Sequence, residues 1–363
     1  MHDQPSVIMT RTGALAELTL NRPRALNALN DEMRTLIVAA LGGLPRDPDV
    51  YALALRSASD RAFCAGGDVR ELVALCGEDH AKACASLAFE YAMNWRLDCF
   101  SKPTVSLIDG MTMGSGVGLV LYNTHRVAGP NFAFAMPETA IGLFPDVGAA
   151  SVLSRLPAAI GRYLALTGRA INRATAYRLG LVTHCIDPDR WPQITEALAD
   201  AQPIDRLVDG LHADPDPAED DLRARTGAIA ACFGRPTVAD IFTALEQNAA
   251  GASDDARWCR GVRDDLEKRA PLSLHVTLRH LDECARRDLR ETLIADYRLA
   301  VRFLERPDLA EGVRAVLIDK DNEPRWQHAS IRDVEGVEVE AMFAPLVSGE
   351  LDLPARRDMQ DLR

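Results

Sequence analysis

The chain has 363 residues, 47% of them hydrophobic and 26% charged, an ordinary composition for a globular protein and not that of a disordered or fibrous one. Its formal net charge of −12 argues against a nucleic-acid surface, whose affinity comes mainly from Lys and Arg neutralising phosphates. An anionic small molecule stays open, because a few local cations and backbone amides suffice to bind one. The length allows one large domain with a second layer, or two domains.

The opening "MHDQPSVIMT" lacks the basic start and apolar core of an export signal. The most apolar run, 110 to 122, is glycine-rich and too short to cross a bilayer. Eight cysteines show no C-x-x-C pair and no zinc-ligand spacing to a histidine pair. The expectation is a cytoplasmic protein without a metal site, its cysteines acting as small buried hydrophobes.

"VIMTRTGALAELTL" reads as a hairpin turning at Thr12-Gly13. "NRPRALNALN" is a loop, and Asn30 caps a helix running to about Leu41, where two glycines stop it. "YALALRS" is a short buried strand, "ASDRAFCAGGD" a loop, and a helix starts at Val69, with Asp68 and Glu71 spaced as a capping box. "KPTVSLIDG" repeats the scheme: strand, glycine-rich loop "GMTMGSGVG", then helix to about Tyr122. "HRVAG" and "NFAFAM" are further short strands. Strand, loop and helix in repetition predict an α/β fold, whose ligands bind beyond the carboxyl ends of strands. After the acidic connection "LHADPDPAEDDLRART" the apolar spacing is helical, and the polar tail "LDLPARRDMQDLR" is expected to fray. The division expected is a core over residues 1–200 and a mainly helical region over 201–363.

Two loops, "CAGGD" (64 to 68) and "MGSGVG" (113 to 118), each leave a strand and open a helix, where unpaired N–H groups point outward. Singly each reads as a tight turn. Together, in successive units, they can converge on one oxygen that becomes negative during a reaction, at about 3–4 kcal/mol per donor. Gly114, Gly116 and Gly118 miss the G-x-G-x-x-G spacing of a dinucleotide site, Ser115 is not flanked as G-x-S-x-G, and a P-loop lysine is absent. The stretch "AMPETAIGLFPDVGAA" places Glu138 and Asp146 among apolar residues, each directly after a proline. Two carboxylates are expensive to bury without a purpose, although either also suits a turn.

In order, "AFCAGGDVREL", "GMTMGSGVGL" and "AMPETAIGLFPDVGAA" resemble the crotonase (enoyl-CoA hydratase/isomerase) superfamily, and more closely its 3-hydroxyisobutyryl-CoA hydrolase branch. The late segment "EGVRAVLIDKDNEPRW" (311 to 326) extends that resemblance, which covers about residues 5 to 330. It implies a spiral of ββα repeats with a C-terminal mainly helical region, binding coenzyme A thioesters. The implied amide donors are Gly67 and Ser115, and the neighbouring Gly66 and Gly114 are implied to bind the substrate. The implied acids are Glu138 and Asp146, with Glu90 touching substrate. Asp68, Leu26 and Arg24 fall where the family contacts its ligand, Arg22 beside them. Ser115 and the Ala149-Ala150 pair stand where the branch carries glycine, the alanines expected to narrow the pocket floor. Coenzyme A is then part of the substrate, no separate cofactor is needed, and relatives often assemble as trimers or pairs of trimers. A homo-oligomer with neither nucleic-acid nor membrane partners is therefore expected.

Hydration in this superfamily uses two glutamates, one of them at position 118 here, which is Gly. The resemblance therefore implies hydrolysis of a short 3-hydroxyacyl-CoA of the valine-catabolism type. An isomerase with a single base, or an acyl-CoA binder without turnover, are the alternatives.

Overall fold

The computed structural model describes residues 5–361. After an opening hairpin whose two strands share one sheet, its recurring unit is two strands and a helix or helical turn, with the two strands of each unit entering different sheets. The larger sheet begins with the antiparallel hairpin of β1 (Val7–Thr12) and β2 (Leu15–Leu20). It continues in parallel through β3 (Ala52–Ser57), a neighbouring strand Thr104–Ile108, another at His125–Ala128, and His184–Cys185 at the edge. The smaller sheet is made of β4 (Ala62–Cys64), β6 (Met111–Met113), β8 (Ala133–Ala135) and β9 (Ile171–Asn172), while β5 (Thr104–Ile108) and β7 (His125–Ala128) are strands of the larger sheet.

The placement of the site follows from the smaller sheet. β4, β6 and β8 are parallel neighbours, with Ala62 opposite Met111 and Met113 opposite Ala135. Adjacent strands lie about 4.8 Å apart. The three chain segments leaving their carboxyl ends, "AGGD", "GSG" and "MPET", therefore emerge side by side on one rim. Each strand has only three residues, too few for an alternating pattern, so β4 and β6 lie hidden inside the stretches expected to be loops.

Four helices frame that rim. α1 (Asp31–Gly43) is capped by Asn30, whose side chain accepts from the Met33 amide at 3.0 Å. α2 (Val69–Glu78) is capped by Asp68, but only half of the expected box forms: the Glu71 amide donates to Asp68 and no return bond from the Glu71 side chain is made. α3 (His80–Asp98) crosses the back of the site and buries Glu90, Tyr91 and Asn94 on one face. α4 (Ser115–Val120) follows β6 directly and ends slightly before the expected Tyr122.

Beyond residue 200 the elements are helical, as expected, and the helices Pro271–Cys284 and Leu289–Leu304 are deeply buried. One continuous buried hydrophobic cluster joins residues as far apart as Val7 and Leu353. Residues 351–354 of the polar tail are anchored rather than frayed, while the last two residues of the tail lie outside the described ones. Leu353 is buried, the Trp95 indole donates to the Pro354 carbonyl at 2.9 Å, and Arg290 donates to the Leu353 carbonyl at 2.7 Å. The buried Leu353 and the tail carbonyls find partners on α3 and the Leu289–Leu304 helix that a composition reading cannot see.

Candidate active site

A cavity of about 380 Å³ opens on the rim of the smaller sheet. Both glycine loops line it, and their geometry explains their composition. In the first loop, the Leu29 amide donates to the Gly66 carbonyl and the Asp68 amide donates to the Leu29 carbonyl, both at 2.8 Å. This parallel bridge turns the intervening Gly67 amide away from Leu29. Gly66 has φ +113°, a value that favours glycine. In the second loop Gly114 adopts φ 47°, ψ −122°, and its carbonyl accepts from the Val117 amide. Ser115 is the first helical residue of α4 and does not take a positive φ, so serine carries no backbone strain there.

The two loops touch. A Cβ on Gly67 would lie 2.9 Å from the Ser115 hydroxyl oxygen, and one on Gly116 would lie 2.5 Å from the Cys64 carbonyl oxygen. Among the described residues, neither the Gly67 nor the Ser115 amide donates to a protein acceptor. Two adjacent, unspent N–H groups beside one cavity are the kind of donors that stabilising a developing oxyanion calls for.

The acids enter from the third segment. Pro137 leads into a tight helical turn, Glu138–Ile141, held by the Ala140 amide donating to the Pro137 carbonyl and the Leu143 amide donating to the Glu138 carbonyl. Glu138 is 6% exposed, and its Oε2 is buried without a hydrogen-bond partner. Burial, reinforced by the neighbouring Asp146 charge, holds its carboxyl well above the usual range. Asp146 also lines the cavity and accepts from the Tyr91 hydroxyl at 2.7 Å. Burial, then the charges of Glu90 and Asp296, push it up to about 8 against the opposing pull of the Tyr91 bond.

Glu90 is not the solvated helix residue that its sequence surroundings suggest. It is buried and pairs with Arg34 of α1 at 2.9 Å, while Arg34 also pairs with Asp31 at 2.7 Å. Arg34 was not anticipated, although a signal existed: it shares the i, i+3, i+7 stripe of α1 with the buried Ile37 and Leu41. A cation on an apolar stripe needs a buried partner.

The cavity thus gathers Leu26, Gly66, Gly67, Asp68, Glu90, Gly114, Ser115, Glu138 and Asp146. Arg24 does not line it and stays exposed on the outer loop. Arg22 is held by Asp68 at 2.8 Å and by the Ala28 carbonyl, which ties the Asp68 cap to that loop. Ala149 and Ala150 begin a short buried helix and are not among the lining residues, so they do not narrow the floor. The roof was legible only as a family segment: Val316 and Leu317, in a widened helical turn (Arg314–Ile318), close over the cavity. The Arg70 side chain donates to the Leu317 carbonyl and clasps that roof to α2.

Fold and site together define an α/β protein of ββα units with two unspent amides and buried carboxyl groups lining one cavity. A family model described as enoyl-CoA hydratase/isomerase matches residues 15–343, and the chain belongs to that family, the crotonases. It is 36% identical over 353 residues to the mitochondrial 3-hydroxyisobutyryl-CoA hydrolase of Rattus norvegicus, covering 95% of this chain and 90% of the relative. It is 34% identical to 3-hydroxyisobutyryl-CoA hydrolase 1 of Arabidopsis thaliana, covering 100% and 98%. Among solved structures, a carnitinyl-CoA dehydratase from Mycobacterium thermoresistibile matches with a TM-score of 0.88 at 34% identity, over 96% of this chain and 99% of that one. An enoyl-CoA hydratase from Rhodobacter sphaeroides matches with a TM-score of 0.85 at 36% identity, over 94% and 98%.

Proposed function

We propose that the chain hydrolyses a short 3-hydroxyacyl-CoA thioester, of the 3-hydroxyisobutyryl-CoA type, to the free acid and coenzyme A. The names of the curated relatives support this reading, whereas the two similar solved structures carry hydratase or dehydratase names. The observation that decides between them lies at Gly118. A Cβ there would stand 2.8 Å from the Val147 Cβ and 2.9 Å from the Asn94 amide nitrogen, so α4 has no room to present a second glutamate. Asp146, next to the Val147 that blocks that position, supplies the second acid.

In the proposed reaction the thioester oxygen accepts from the amides of Gly67 and Ser115. The Glu138 carboxylate attacks the carbonyl carbon, the C–S bond breaks, and the departing thiolate takes a proton from the acid pair. Water then hydrolyses the anhydride; alternatively Glu138 activates water for direct attack. The Asp146 charge raises Glu138, so ionising one acid disfavours ionising the other. With one proton between them, the cavity holds a carboxylate and a carboxylic acid together, which is the division of labour the reaction needs. Asp146 receives the substrate 3-hydroxyl, Glu90 lines the acyl end, and Asp68, Leu26 and the outer Arg24 face the coenzyme A side.

A panel of acyl-CoA esters, scored for free thiol and in parallel for hydration and double-bond shift, tests this. Thiol release confined to short 3-hydroxyacyl esters supports it; hydration or isomerisation without thiol release overturns it, as does saturable binding with neither. The proposal includes homo-oligomeric assembly, which sedimentation velocity checks. It includes a reducing compartment as well: the eight cysteines are free, none of the described helices is long and apolar enough to cross a membrane, and several animal relatives are named mitochondrial. Those names weigh toward mitochondria rather than the cytoplasm expected from composition.

A further inference from the structure

Asp146 sits in a turn that is unfavourable on its own. The next residue, Val147, is β-branched yet takes φ 51°, and Gly148 follows at φ 80°. A β-branched residue in the left-handed region is held there by its surroundings. What holds the turn comes from the C-terminal helices. The Gly148 amide donates to Asp296 Oδ2 at 2.7 Å, from the helix Leu289–Leu304. The other oxygen, Oδ1, is held by His280 Nε2 at 2.6 Å, from the helix Pro271–Cys284.

Both side chains are essentially inaccessible, at 1% for His280 and 0% for Asp296. Phe144, two residues before Asp146, packs edge-on against the His280 ring at 5.5 Å and is stacked on Phe303. Burial disfavours a charged His280 ring, but the Cys284 sulfur and the Asp296 carboxylate override it and raise its proton affinity. A buried ion pair of this kind is poor evidence for stability, since desolvation offsets its attraction. Its geometry has another use: it presents one fixed carboxylate oxygen to the amide that closes the strained turn.

We propose that the His280–Asp296 pair is a positioning device that holds the Val147–Gly148 turn and thereby aims Asp146 into the cavity. This rests on the proposed role of Asp146. The C-terminal helical region then contributes to catalysis through one backbone hydrogen bond.

The test uses the full chain. D296A removes the acceptor and should lower kcat about 10²-fold, the scale of a misplacement near 1 Å, with KM within about 3-fold of wild type. D296N keeps an oxygen for the Gly148 amide and should restore most of kcat. H280L/D296L replaces the pair with apolar residues, which buried pairs often tolerate; it should stay folded while showing the same loss of kcat. In a D146N background neither D296A nor the double variant should lower kcat further, because they act through Asp146. A folded H280L/D296L enzyme with wild-type kcat overturns the proposal, as does an undiminished loss in the D146N background. Should D146N alone be fully active, the assigned role of Asp146 fails instead. Amide exchange then decides for the turn: faster exchange at Gly148 in the double variant supports the anchor, and unchanged exchange overturns it.

Discussion

A Cβ on Gly114 would stand 2.9 Å from Glu138 Oε1, so the glycine that bends the second loop is in direct contact with the acid across the cavity. Gly114 also holds φ 47°, ψ −122°, where a side chain adds strain of about 1–3 kcal/mol. G114A is expected to lower kcat about 10²-fold by pushing Glu138 from its place and to lower Tm. Steady-state kinetics with a thermal melt check both; an active, unshifted G114A would mean that Glu138 is not held against this loop.

Ser115 contributes its amide under the proposed mechanism, and its φ is not positive. S115G should therefore keep kcat within about 3-fold, since the donor survives and no strain is relieved. S115P removes the donor and should lower kcat by about 10²–10³-fold. Equal activity in the two variants would remove this amide from the oxyanion site.

The raised acids make opposite demands on stability and activity. Asp146 moves from a usual 3.8 to about 8 in the folded chain. A raised value means that the folded state holds the proton more tightly, so this stabilisation is complete below pH 4 and fades as pH climbs toward 8. D146N removes the titration, and its Tm relative to wild type should rise steadily from pH 5 to pH 8. The same change removes a charge that raises Glu138, so the ascending limb of residual kcat/KM should move to lower pH. A limb that stays in place would show that the two acids are not coupled.

Arg34 and Glu90 are both buried, with side chains 8% and 4% exposed. Removing one partner strands a buried charge, so R34M should destabilise by about 3–5 kcal/mol in chemical denaturation, and R34M/E90L should recover much of that loss. A mild effect of R34M alone would mean that water reaches Glu90.

These residues also show how far the sequence could be read. The glycine loops and the acids after Pro137 and Pro145 were visible because their residue types are unusual for their surroundings. The convergence of the loops was not derivable from spacing, since it depends on three-residue strands too short to leave a pattern. Glu90 looked like a surface residue because its partner, Arg34, lies in another helix. Asp296 and His280 sit in helices whose periodicity was plain, but no local pattern says that an aspartate will reach a backbone amide 148 positions earlier in the chain. Local chemistry was legible, and long-range partnership was not.

In the proposed reaction Glu138, lining one cavity with the amides of Gly67 and Ser115, breaks a thioester. Thiol release from 3-hydroxyisobutyryl-CoA by wild type and by E138Q, compared at equal folded concentration, tests it most directly. Rapid release by wild type is expected, with a loss of at least about 10³-fold in kcat for E138Q while substrate still binds. Wild-type turnover by E138Q would contradict it.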